Sequence, residues 1–101
     1  MKHAKSAWDG AILVCGKCSK KIGGGFGPKG RQSLAKALRE VPGFGKGRKA
    51  TTGVVVTQCL KLCPKHAVTV VDTRRPGDWL VVPAGADVEE LADELSRRDS
   101  D

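Results

Sequence analysis

Short apolar runs and two amphipathic stripes alternate along the chain. The segment AILVC, residues 11–15, is continuous and apolar, which predicts a strand buried on both faces of a sheet. The ten residues before it read as a loose arm ending in a turn at Asp9 and Gly10. Residues 16–30 hold six glycines, Pro28 and four lysines, a composition too flexible and polar for regular structure on its own. A first helix is therefore expected to begin only near Gly30 or Arg31. Within RQSLAKALREV, Leu34, Ala37, Leu38 and Val41 recur at intervals of three and four and give one stripe to pack on a sheet. Pro42 and Gly43 should stop this helix after about three turns.

A second glycine and lysine stretch, residues 43–53, leads into VVVT at 54–57, another buried-strand pattern. Residues 67–71 and 78–82 flank RRPG, whose Pro76-Gly77 is turn chemistry, so the two runs predict an antiparallel hairpin. Asp87 followed by Glu90 makes an N-cap and capping-box partner for a last helix. Its stripe is Val88, Leu91, Ala92 and Leu95, with Arg97 and Arg98 at the negative end. The expected order is β-α-β-β-β-α, an α/β fold with a mixed sheet, a parallel βαβ start and a C-terminal antiparallel hairpin and helix. No internal repeat interrupts it, so residues 1–101 are expected to form one domain, with 1–10 a flexible arm and 97–101 a frayed tail.

The cysteines change this picture most. They fall in two tight pairs, Cys15 with Cys18 and Cys59 with Cys63. A right-handed β-α-β crossover makes the strand ending at Cys15 parallel to the strand ending near Gln58. Both pairs then leave the same edge of the sheet, so four thiols should converge between two loops, as a four-thiolate metal or cluster site requires. Zinc and iron–sulfur clusters use the same ligand type, and spacing alone does not separate them.

CLKLCPKHAVTVV is a C-x3-C followed by a Val-rich hairpin. With an upstream cysteine closing the first buried strand and a final amphipathic helix, it resembles the thioredoxin-like 2Fe-2S ferredoxins. The resemblance spans most of residues 11–96 in element order and rests on the four cysteines and their flanks. It implies a thioredoxin-like fold and an electron carrier with one 2Fe-2S cluster. Cys15 and Cys18 would hold one iron, and Cys59 and Cys63 the other. Members of that family commonly separate the first two ligands by a longer loop than the two residues here.

Other chemistry is weaker. CGKC could be a redox dithiol, but such motifs sit at a helix N-terminus, and here twelve residues rich in Gly and Lys separate Cys18 from the expected helix. GFGPKG, residues 25–30, matches G-x-G-x-x-G, yet it does not leave a strand directly and has no acidic residue near position 50; a flexible cover over the metal site is the better reading. His66 reads as a surface or outer-sphere histidine, since four thiols are already at hand. Trp8 and Trp79 read as packing residues. No paired carboxylates or Ser-His-Asp spacing point to an enzyme.

Composition excludes more than it assigns. Forty per cent of the 101 residues are apolar and 29% charged, which fits neither wholesale disorder nor a membrane protein. MKHAKSAWDG has no apolar stretch of a secretory signal, so the cytoplasm is the expected location. Charge is uneven: residues 1–71 hold 14 Lys or Arg against Asp9 and Glu40, whereas residues 72–101 hold four Arg against nine acids. Lys17, Lys20, Lys21, Lys29, Lys46, Arg48, Lys49, Lys61 and Lys65 are expected around the cysteine end. The favoured partner is an acidic face on a redox protein, and a homodimer stays open. A zinc-stabilised module that contacts nucleic acid or an acidic protein through the basic loops is the alternative, although aromatics hardly interleave with those loops.

Overall fold

A computed structural model describes residues 2–58, 60, 62 and 64–97. It is an α/β fold with five strands and three helices among those residues: β1 (Gly10–Cys15), α1 (Gly16–Ile22), α2 (Leu34–Arg39), β2 (Phe44–Gly45), β3 (Thr52–Thr57), β4 (Ala67–Asp72), β5 (Leu80–Pro83) and α3 (Val88–Arg97). The strands form one mixed sheet in the order β2-β3-β1-β4-β5. β1 runs parallel to β3 in unbroken register from Gly10↔Thr52 to Cys15↔Thr57, and antiparallel to β4. β4 and β5 form the expected hairpin, from Val70↔Leu80 to Ala67↔Pro83. β1 is the central strand, and its Ile12, Val14 and Cys15 have no exposed surface.

Three elements depart from the sequence reading, the unannounced two-residue strand β2 among them. Residues 16–22 are helical rather than loop, and α2 is a six-residue helix that starts at Leu34 rather than near Gly30. Ser33 sets that start, because its side-chain oxygen accepts the Lys36 N–H at 3.3 Å. The glycine stretch 25–30 also folds tightly: Phe26 and Gln32 exchange backbone hydrogen bonds of 3.1 and 2.9 Å, which drives Phe26 into the core. GFGPKG is thus a structural loop with its amides partly spent internally.

Leu34 and Leu38 of α2, Leu91, Ala92 and Leu95 of α3, and Val54, Val68, Val70 and Val82 of the sheet share one buried cluster. As expected, Asp87 caps α3, its Oδ1 accepting the N–H groups of Glu89 and Glu90 at 3.0 and 3.4 Å. Residues 7–9, read from sequence as the end of an arm, are bonded to the loop before β3. Ala7 donates to the Arg48 carbonyl, Asp9 to Thr51, and the Trp8 indole to Gly47 at 2.8 Å. The Trp8 ring lies where a Cβ on Gly53 would come within 2.5 Å of it, so only glycine fits under the indole. Of the expected frayed tail, residues 98–101 lie outside the described residues. Among those described, no helix is long and apolar enough to cross a membrane.

One charged knot closes the end of the sheet opposite the cysteines. Asp72, 1% exposed, accepts the Arg74 backbone N–H at 3.0 Å and two guanidinium bonds at 3.1 and 3.0 Å. Arg74 also donates to the Leu95 carbonyl at 2.9 Å and stands 3.9 Å from Asp9. Removing the guanidinium leaves a buried carboxylate without its fork of donors, a change that typically costs about 3–5 kcal/mol. Arg74→Ala should therefore lower the free energy of unfolding, read from urea titration, by most of that amount.

Candidate metal centre

β1 ends at Cys15, and the chain turns directly into α1, with Cys15 as its N-cap in extended conformation (φ −65°, ψ 114°). Gly16 makes this turn possible. A Cβ there would stand 2.7 Å from the Thr57 carbonyl oxygen, so the first turn of α1 can lie against the end of β3 only without a side chain. Cys18 and Ile22, four residues apart, face inward from α1, and Gly23 closes the helix at φ 68° with its N–H bonded to the Ser19 carbonyl. That spacing before a C-terminal glycine is the signal by which α1 could have been found in the sequence.

Cys15 is 0% and Cys18 2% exposed, and neither is in a disulfide. Cys59 and Cys63 lie outside the described residues. Their chain neighbours do not. The Leu60 N–H points at the Cys15 sulfur, and the Cys18 Sγ donates to the Leu62 carbonyl at 3.6 Å. The Thr69 hydroxyl of β4 reaches the same carbonyl at 3.0 Å and fixes that segment to the sheet. The chain before β4 therefore passes over the first cysteine pair.

Electrostatics at Cys15 favour the thiolate. Burial is the largest single influence and pushes the thiol up; the N–H groups of Cys18, Leu60 and Lys17 and the Cys18 side chain act the other way and outweigh it. The net effect holds Cys15 below the ordinary thiol value. A buried sulfur that collects amide donors suits a thiolate ligand of a metal or cluster, since such hydrogen bonds stabilise the negative sulfur. Among the described residues no three His, Cys, Asp or Glu side chains converge as a metal site would need, and only two of the four cysteines belong to that set.

The surrounding charge divides differently from the sequence reading. Lys17, Lys20 and Lys21 are carried by α1, and Lys65 precedes β4, all at the cysteine edge. Lys46, Arg48 and Lys49 are at the other end, because a parallel β3 must start beside the start of β1. Lys61 lies outside the described residues. The acidic first turn of α3 begins just after Pro83, which pairs with Ala67, and so starts from the cysteine edge. Trp79, 42% exposed, donates its indole N–H to the Pro76 carbonyl and packs at the hairpin end.

Neither protein-family models, nor curated proteins, nor solved structures yield a significant match to this chain.

The depressed Cys15 thiol gives a pH signature in the reduced, metal-free protein. A thiol whose folded value is lowered adds stability that is complete above the unfolded value and is lost as pH falls through the folded one. Urea midpoints of wild type and Cys15→Ser, measured with reductant and chelator, should thus differ increasingly in favour of wild type from neutral to alkaline pH. A constant difference would mean that the amides do not hold a thiolate.

Proposed function

We propose that the chain is a small electron carrier in which Cys15, Cys18, Cys59 and Cys63 ligate one 2Fe-2S cluster, on a thioredoxin-like arrangement of β1, β3, β4 and β5 with α3. The observation that carries this reading is the placement of Leu60 and Leu62, which lie between Cys59 and Cys63 in the chain, against the buried sulfurs of Cys15 and Cys18. Such a cluster supplies one-electron transfer. The chain's own residues do the rest. The N–H groups of Lys17, Cys18 and Leu60 stabilise negative sulfur at Cys15, the core shields the site from water, and lysines on α1 offset the centre's negative charge. An acidic face on a redox protein is the partner this basic edge suits.

A second reading is favoured by one observation. CGKC, with Cys15 at the N-cap of α1, stands where a thiol–disulfide exchange dithiol would, and the long separation expected from sequence does not exist. In that chemistry the Cys15 thiolate attacks a substrate disulfide and releases one substrate thiolate, then Cys18 displaces the second and leaves a Cys15–Cys18 disulfide. Burial argues against it. A nucleophilic sulfur needs a line of approach, and Cys15 presents no surface, whereas a ligand sulfur needs none.

Anaerobically purified protein should be brown and carry iron and sulfide in equal amounts. Cys59→Ser and Cys63→Ser should abolish or badly destabilise the cluster, and Cys18→Ser should alter its spectrum. A colourless protein with one zinc would replace this reading with the zinc module, and metal-free protein that reduces insulin disulfides would replace it with the dithiol.

A further inference from the structure

Beside Cys18 opens a cavity of about 680 Å³, bordered by Lys21, Pro64, Lys65, His66 and Ala84. No carboxylate lines it. Among the described residues Lys21 and Lys65 make no ion pair, and both are exposed. The cavity is therefore a local concentration of positive charge against one of the proposed ligands.

His66 adds an independent observation. Its φ is 55°, a left-handed conformation that strains any residue with a Cβ. Every other positive φ among the described residues belongs to a glycine: Gly23, Gly24, Gly25, Gly27, Gly30, Gly43 and Gly85. The backbone at 66 is held in place by its carbonyl, which accepts the Ala84 N–H at 2.9 Å. Glycine would serve that backbone without strain. Histidine is among the few residues with a Cβ that adopt this conformation with some frequency, and here its imidazole is exposed at the rim of a basic cavity, where it can meet an anionic ligand.

We propose that this cavity is the anchor for a carboxylate-rich segment of the redox partner, with Lys21, Lys65 and His66 as its contacts. The identity of the partner as a redox protein rests on the electron-carrier reading; the chemistry of the cavity does not. No Phe, Tyr or Trp borders the space, so the small His66 imidazole is all it offers a nucleic-acid strand for stacking. The cations sit on exposed, flexible stems rather than as buried converging donors, which suits several carboxylates spread along a chain better than one free anion. Leu62, 42% exposed and two residues before Pro64, adds apolar surface that a polypeptide uses and a free ion does not.

The test uses the protein as isolated, with iron, sulfide, zinc and visible spectrum recorded for every sample. A fluorescein-labelled hexaglutamate peptide is titrated by anisotropy at low salt. The double variant Lys21→Gln/Lys65→Gln should weaken binding about tenfold, a loss that grows smaller as salt is raised. Lys46→Gln/Lys49→Gln, at the opposite end of the sheet, should change it less than twofold. His66→Gly should weaken binding several-fold while its melting temperature holds or rises, because the strain is relieved.

Equal losses from both lysine pairs would overturn the proposal in favour of diffuse attraction. Unchanged peptide affinity with a lowered melting temperature in His66→Gly would leave the histidine a merely structural residue. Displacement of the peptide by inorganic phosphate at matched ionic strength would make the cavity a small-anion site, and tighter binding of oligo-dT would make it a nucleic-acid surface. Unchanged metal content across the variants separates these outcomes from failure of the electron-carrier reading, which the metal analysis alone decides.

Discussion

The parallel pairing of β1 with β3 is the constraint on which the rest of the molecule depends. Its six-residue register fixes Cys15 beside Thr57 and makes both chains leave the sheet at one edge. Nothing local brings these segments together, because residues 16–51, largely helix and glycine-rich loop, separate them. The pairing is held instead by the apolar faces of the two strands and by α2 packed over them, with Arg39 donating to the Val54 carbonyl at 3.2 and 2.9 Å. It also imposes two close approaches that only glycine tolerates, Gly16 under the Thr57 carbonyl and Gly53 under Trp8. A side chain at Gly16 would push the start of α1 off the end of β3, and one at Gly53 would displace the Trp8 indole.

Much of the architecture was legible because its signals are local. Continuous apolar runs mark β1, β3 and β4, Pro76-Gly77 marks the hairpin turn, and Asp87 marks the start of α3. The helix α1 was hidden for a physical reason. Gly16 and Ser19 are poor helix formers and Lys17, Lys20 and Lys21 add no apolar stripe, so the helix is held by Cys18 and Ile22 docking on the core and by Gly23 at its end. Likewise β2 is two residues long, too short for any alternation to announce it. The position of Lys46, Arg48 and Lys49 followed from strand direction, which composition does not encode.

At the site, the sequence marked Cys15 and Cys18, and their burial and amide contacts add what spacing could not. Two properties that usually go together in an exchange dithiol are separated here. Cys15 has the amide-stabilised sulfur of a reactive thiol but no surface at which to react. The proposed ligation is compatible with both, because a metal ion can be enclosed along with its ligands whereas a protein disulfide must arrive from outside. Leu60 is as much part of this environment as the cysteines, since its N–H reaches across from the neighbouring loop.

The knot of Asp72, Arg74 and Leu95 has a bearing on how the molecule would be built and dismantled. It ties the start of the hairpin turn, the last turn of α3 and, through Asp9, the entry to β1, all at the pole farthest from the thiols. Among the described residues that pole contains no cysteine. Its closure therefore does not depend on the state of the thiols. On the cluster reading proposed above, insertion of a centre would be an event confined to the opposite end of the sheet.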